Sequence, residues 1–371
     1  MGAFRIAVLT SSRADFSIYL PVLRAFQQAK EIDLHIIAFG SHTSAFHGKT
    51  VSSIYEAGFT AVTEIDNLSE GDTAQDLVLA QARTLELFSD LWQQEKFDLV
   101  FCLGDRFEMF AAVMAGIPFG VRFAHIHGGE TSLGAIDNIY RHAISLASAL
   151  HFTSCEAHSE RLRQILDDSS HVYVSGAPAL DNLRTMELLD TAAFTEKFGI
   201  DISKPTFLIT LHPETVHPER NAAYVASFCK SLEAFPQQML ITKANADTQG
   251  SVINKALEQF AAGRSGVRIV ESLGPQGYYS ALQHSVLVIG NSSSGLIEAA
   301  SFEKYVINVG ERQAGRMHGE NVIPATFDTE ALIGTIRTTL AKGKYTGNNI
   351  FVAGSASEII LEETLKFLKD K

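Results

Sequence analysis

The sequence offers little from which to build a metal site or a disulfide framework. Its three cysteines, Cys102, Cys155 and Cys229, are far apart and odd in number. No CxxC pair and no histidines at i, i+4 spacing accompany them, so reduced thiols are expected, and no metal or cofactor is. An excess of positive charge is missing too. Thirty lysines and arginines against 42 aspartates and glutamates leave a net charge of −12, which argues against nucleic acid as a partner, because binding a phosphate backbone needs a basic surface. No apolar run approaches the length of a membrane span. The first ten residues carry one basic residue and no small-residue cleavage site, so a cytoplasmic protein without a membrane partner is expected. Tandem repeats, low-complexity tracts and coiled-coil heptads are also lacking.

What is present is a soluble, globular composition, 46% hydrophobic and 19% charged, over 371 residues. That length suits two domains of ordinary size. Apolar runs of strand length alternate with helical patterns: Phe4 to Thr10, Leu34 to Phe39, Leu99 to Leu103, Arg122 to Ile126, His151 to Ser154 and Val172 to Ser175 in the first half. A second series follows at Thr206 to Leu211, Met239 to Thr242, Val267 to Val270, Val286 to Ile289 and Tyr305 to Val309. Such alternation predicts parallel sheets with helices on both faces, which hold ligands at the carboxyl ends of their strands. The reading is therefore α/β, two doubly wound domains facing a central cleft. The first is expected over 1–178 and the second over 179–356, with a C-terminal amphipathic helix at 357–368 packing back on the first.

The strand ends carry the chemistry. Gly290-Asn-Ser-Ser-Ser-Gly295 joins a strand to a helix; its small side chains, free helix amides and serine hydroxyls, Ser292 and Ser293 among them, suit a phosphate. Glu298, about one turn on, suits a pair of ribose hydroxyls. Arg13 and Arg106 both follow strands, and two arginines in one cleft suit a diphosphate; Ser17 adds a hydroxyl near the first, unless it caps the helix. Asp105 is either a ligand-facing carboxylate or a helix N-cap. His125-Ile-His127-Gly-Gly-Glu130, with Asp137 opening the next helix, gathers groups for proton transfer at carbon. His125 reads as a core histidine and His127 as the active one. Pro213 keeps His212 extended at another strand end, as acid, base or phosphate donor. Asn245 and Arg312 follow two further strands.

Taken together, Ser12-Arg-Ala-Asp15, Gly104-Asp-Arg-Phe107, His125-Ile-His-Gly-Gly-Glu130, Ile136-Asp137 with Arg141-His142, His212-Pro213, Asn245, the serine loop with Glu298, and Arg312-Gln313 resemble the hydrolysing UDP-N-acetylglucosamine 2-epimerases of bacterial sialic acid synthesis. They run in family order over about 300 residues. The resemblance implies the two-Rossmann-domain GT-B fold and elimination of UDP from UDP-GlcNAc across C1 and C2, followed by hydration to N-acetylmannosamine. By position, Arg13, Asn245, Ser292, Ser293, Glu298 and Arg312 would hold UDP, while Asp105, His127, Asp137 and His212 would surround the sugar and leaving group. Many relatives have glutamate in place of His127; either His127 or Glu130 takes that role. A homodimer or homotetramer is the expected assembly. Competing readings are a GT-B glycosyltransferase, a non-catalytic nucleotide-sugar binder, and the same reaction on UDP-N,N′-diacetylbacillosamine, since fold alone does not settle function.

Overall fold

The computed structural model describes residues 2–45, 49–68, 71, 73–131, 136–167, 170–214, 217–244 and 250–370, with Thr185 described by its backbone only. The chain divides into two compact units. One runs to Arg184 and takes the chain up again at Phe351; the other holds Thr185–Ile350. The division expected after residue 178 thus falls six residues later, and the return to the first unit begins six residues before residue 357.

In the first unit the order is β1 (Phe4–Thr10), α1 (Arg13–Gln28), β2 (Ile32–Ala38), α2 (Ser52–Glu56), β3 (Val62–Glu64), α3 (Ala74–Gln94) and β4 (Leu99–Leu103). Then come α4 (Phe107–Gly116), β5 (Phe123–Ile126), α5 (Asp137–Leu146), β6 (Ser148–Thr153), α6 (Glu156–Leu166), β7 (Val172–Val174) and α7 (Asn182–Thr185). All seven strands are parallel, in the order β3-β2-β1-β4-β5-β6-β7. The sequence explains this directly: β4, Leu-Val-Phe-Cys-Leu, is apolar at every position and buried at every position, as a strand covered on both faces must be. One face packs Tyr19, Leu23 and Phe26 of α1 against Phe101 and Phe152. The other packs Phe88 and Trp92 of α3 against Met109 and Phe123.

The second unit contains α8 (Thr191–Phe198), β8 (Thr206–Thr210), α9 (Asn221–Leu232), β9 (Gln238–Thr242), α10 (Gly250–Ala261) and β10 (Val267–Val270). It continues through α11 (Gly274–His284), β11 (Leu287–Gly290), α12 (Ser293–Glu298), β12 (Val306–Val309), β13 (Val322–Ala325) and α13 (Thr329–Ala341). Its six parallel strands are ordered β10-β9-β8-β11-β12-β13. Phe207, Ile209, Phe228, Ile241, Ile289, Ile307 and Leu332 form its core. The final helix, α14 (Ala356–Lys369), lies in the first unit, where Ile360 and Leu368 join the α1 core. Asp181 caps it, accepting from the Ala356 and Ser357 amides at 3.1 and 2.7 Å and from Ser357 Oγ at 2.7 Å.

Besides the single turn α7, four elements were not expected from the sequence. β3 and β13 are edge strands of three and four residues, and β13 holds Pro324, a residue confined to edges because it lacks an N–H. α8 and α13 carry ordinary aspartate N-caps, Asp190 and Asp328, at 2.8 and 2.9 Å. Both lie in stretches whose apolar pattern is weak.

Candidate functional site

In each sheet the carboxyl ends of the strands collect the loops in question. At the carboxyl end of β1, Ser12 caps α1 through a 3.2 Å bond to the Asp15 amide, and Asp15 Oδ2 accepts from the Ser11 amide and hydroxyl at 3.1 and 2.7 Å. Arg13 stands exposed at the first position of the helix. Ser17 is not the cap: its hydroxyl donates to the Arg13 carbonyl at 2.9 Å, inside the helix, rather than outward. After β4, Asp105 is not a cap either. Arg106 holds the N-cap position of α4, and its Nε donates at 2.5 Å to Glu108, which is fully buried.

Asp105 is instead an ion-pair partner of Arg141, on α5. Arg141 is 4% exposed, donates at 2.6 Å to the His127 carbonyl, and lies 3.9 Å from Glu130 Oε2. One arginine thus ties the β4 loop to the β5 loop. Asp137, four residues earlier on α5, is exposed at the helix start. Helical spacing puts Asp137, Arg141 and Ser145 along one side of α5. Ser145 Oγ lies 2.9 Å from His125 Nδ1, and the other ring nitrogen of His125 lies 2.9 Å from the Gly104 carbonyl. Burial pushes the His125 pKa down to about 3, so this ring is a neutral core histidine.

His127 has φ +65°, a left-handed conformation that costs a non-glycine residue strain and is found at functional sites. The turn aims its ring back at Glu130, with Nδ1 at 2.5 Å from Oε1. Gly129 makes the turn possible, because a Cβ there would meet the His158 carbonyl at 2.2 Å. Burial by itself would raise the Glu130 carboxyl, but His127 and Arg141 outweigh it and hold the group well below the usual carboxylate range. Glu130 is therefore a fixed anion, and a fixed anion does not supply a proton.

The second unit presents a different chemistry. The Asn291 side chain clamps the backbone of His212, accepting from its amide at 2.7 Å and donating to its carbonyl at 2.9 Å. His212 is 6% exposed. The carbonyl of Asn291 in turn receives Arg312 at 3.2 Å and Gln313 at 2.8 Å. The loops after β8, β11 and β12 are therefore pinned to one residue. Gly290 is required where they meet: at φ +143°, a Cβ would lie 1.9 Å from the Thr210 carbonyl. Ser292 occupies the N-cap position of α12 without using its side chain as a cap, and Ser294 Oγ lies 2.6 Å from the Tyr278 hydroxyl. Glu298, the last residue of α12, accepts from the Tyr279 hydroxyl at 3.2 Å, while its Oε2 is sealed from solvent and has no hydrogen-bond partner among the described residues. Burial pushes this carboxyl up to about 8, against the lowering effect of Tyr279.

The structure thus brings Asp105, His127 and Glu130 into one network, with Arg106 and Asp137 on the flanking helices. It likewise brings His212 and Arg312 together around Asn291, with Ser292, Ser293 and Glu298 on the same loop and helix. Asn245 lies outside the described residues. Sequence reading assigned no role to Arg141, Ser154, His158, Tyr278 or Tyr279. A signal for Arg141 existed in its four-residue step from Asp137; nothing in the sequence singled out the others.

Comparison with known proteins bears on the family and the fold. The family model described as UDP-N-acetylglucosamine 2-epimerase matches residues 24–365. Over 358 residues the chain is 33% identical to the UDP-N,N′-diacetylbacillosamine 2-epimerase (hydrolyzing) of Legionella pneumophila, covering 95% of this chain and 93% of that protein. It is also 33% identical over 330 residues to the GDP/UDP-N,N′-diacetylbacillosamine 2-epimerase (hydrolyzing) of Campylobacter jejuni, covering 88% and 86%. The crystal structure of UDP-GlcNAc 2-epimerase from Neisseria meningitidis bound to UDP-GlcNAc shares the fold, with a TM-score of 0.83 at 18% identity over 98% of this chain and 100% of that one.

Proposed function

The chain belongs to the UDP-N-acetylglucosamine 2-epimerase family, and on that premise we propose that it is a hydrolysing 2-epimerase of a UDP-activated 2-acetamido sugar. The observation that carries the reading is the His127–Glu130 pair at 2.5 Å beside the Asp105–Arg141 ion pair. A carboxylate that accepts from Nδ1 leaves the opposite nitrogen of the imidazole, Nε2, to take or give a proton. Of the two candidates for the acid/base role, His127 is therefore the proton-transfer group and Glu130 its orienting anion. In the first step His127 removes the C2 proton, the C2–H electron pair forms the C1=C2 double bond, and the C1–O pair leaves with UDP. In the second step the C1=C2 electron pair takes up a proton at C2 on the opposite face, and a water oxygen bonds to C1 and gives up one proton to a side-chain base. Asp105 and Asp137 are the remaining carboxylates for the sugar, and His212 is the group for the leaving oxygen.

UDP recognition belongs to Arg312, Ser292, Ser293 and Asn245, with the ribose on Glu298, whose unpartnered Oε2 suits a hydroxyl donor. Arg13 and Arg106 supply positive charge for the diphosphate. The sugar is read first as GlcNAc, giving N-acetylmannosamine for sialic acid synthesis. A second reading has specific support: both relatives at 33% identity carry diacetylbacillosamine in their names. Turnover of each UDP-sugar in heavy water tests the whole proposal. UDP release with deuterium at C2 of the product is expected, and the larger kcat/KM identifies the sugar. Product without deuterium at C2 would rule out the elimination route, and no UDP from either sugar would leave a binding protein.

A further inference from the structure

Behind the His127–Glu130 pair stand two side chains with no part in the reading so far. Ser154 follows β6, and His158 lies in the first turn of α6; they are 2% and 6% exposed. Ser154 donates its hydroxyl proton to Glu130 Oε1 at 2.9 Å. A hydroxyl has one proton to give, so the 2.9 Å contact between Ser154 Oγ and His158 Nδ1 is donated by the imidazole. An ionised carboxylate has none to give, so at 2.5 Å His127 Nδ1–H donates as well. Every proton in the row points towards Glu130. Neutral His127 therefore carries its proton on Nδ1 and keeps Nε2 as the basic nitrogen.

The row has an electrostatic reason. A buried carboxylate needs donors, and Glu130 has two on Oε1 with Arg141 3.9 Å from Oε2. Burial pushes His158 down to about 4, so at neutral pH it is an uncharged donor and not a rival cation. Filling space would not require a hydroxyl and an imidazole ending on the oxygen that meets His127.

We propose that Ser154 and His158 are positioning residues for proton transfer, holding Glu130 as a shared anion and so setting the tautomer and basicity of His127. The proposal rests on His127 being the proton-transfer group. Its sign follows from charge sharing: without the Ser154 hydroxyl, Oε1 acts on His127 alone, the imidazolium is stabilised, and His127 titrates at higher pH. Among the described residues, the other charged and titratable groups facing the pair are Asp105, Arg141 on α5, Cys155 just before α6, Arg161 on α6 and His125 on β5. None of them is altered by changes at Ser154.

The test compares the full-length protein with Ser154→Ala, Ser154→Thr, His158→Leu, His158→Asn and His127→Gln. It measures kcat/KM against pH and the titration of the His127 ring by NMR. Ser154→Ala and His158→Leu are expected to move the ascending limb and the ring titration to higher pH. Turnover should fall about tenfold, the size of one hydrogen bond to an ion. Ser154→Thr and His158→Asn, which keep an O–H and an N–H donor, should restore both. Wild-type titration of His127 in the Ala and Leu variants would overturn the proposal, whatever happens to turnover or melting temperature. If Ser154→Ala fails to fold, the Leu and Asn pair at His158 decides. Wild-type turnover in His127→Gln would instead sink the underlying reading, while the ring titrations still judge the row.

Discussion

Glu298 puts a carboxyl where water cannot reach one of its oxygens, and the consequence can be measured on the ligand-free protein. Its folded pKa of about 8 stands above the ordinary 4.5. Between those values the folded state keeps a proton that the unfolded chain has lost, so stability falls as pH rises from about 4.5 to 8. Glu298→Gln removes that slope. Thermal melts should show the variant gaining on wild type as pH is raised; a constant difference would mean that the group is already ionised in the fold. Ribose hydroxyls donating to Glu298 favour its ionised form, so UDP binding near neutral pH should release a proton that the Gln variant does not release. Calorimetry in buffers of different ionisation heat measures this. Arg312 is argued at the same scale: Arg312→Ala should weaken UDP binding by about 1.5–3 kcal/mol, the worth of a charged hydrogen bond. Unchanged affinity would reduce Arg312 to a clamp on Asn291. Residue identity was legible at strand ends, where Asp105, His127 and Arg312 follow apolar runs. That Glu130 is held as an anion was not, because that depends on the left-handed turn at His127 and on Arg141, eleven residues from Glu130.

α5 shows how one element can organise a site. Its Arg141 reaches Asp105 on the neighbouring loop, while Ser145, one turn further, holds the ring of His125. Removing the arginine would leave Asp105 and Glu130 partly buried without a cation, and breaking such a pair typically costs about 3–5 kcal/mol. Arg141→Leu should therefore lower the stability of the first unit by that order in denaturant titration; a loss below about 1 kcal/mol would class the pair with solvated surface ion pairs. The final helix makes a second test. Asp181→Ala removes four hydrogen bonds at the start of α14, one of them a long 3.5 Å contact from the Ser355 hydroxyl, and about 1–3 kcal/mol should be lost. Amide exchange over Ala356–Lys369 should rise with it; unchanged exchange would show that Ile360 and Leu368 hold the helix without the cap. The helix itself was legible from its apolar period. Its cap was not, because Asp181 lies 175 residues from Ala356.

At the scale of the molecule, the proposed reaction draws on both parallel sheets: His127, Asp105 and Asp137 with Arg13 and Arg106 at the first, and His212 with the proposed phosphate and ribose groups at the second. Among the described residues no group of three or more histidine, cysteine, aspartate or glutamate side chains is arranged to hold a metal ion, and the proposed steps use side-chain acids and bases alone. Turnover should therefore survive prolonged treatment with a strong chelator. Loss on chelation with recovery on adding one divalent ion would overturn that expectation.

The sequence by itself determined the α/β class, the parallel sheets and most strand positions. Fully apolar strands alternating with amphipathic helices satisfy their backbone and bury their side chains in few other ways. It also pointed to the loops at the carboxyl ends of the strands as candidates for chemistry, since ligands bind there in such sheets. The edge strands β3 and β13 escaped notice because a half-covered strand of three or four residues leaves no period to detect. Only the tertiary structure decided the proton inventory. That Glu130 is an anion, His125 neutral, Asp105 paired rather than capping, and Glu298 pushed up to about 8 follows from burial and from partners distant in sequence. Those are properties of an environment, and the environment exists only once the chain has folded.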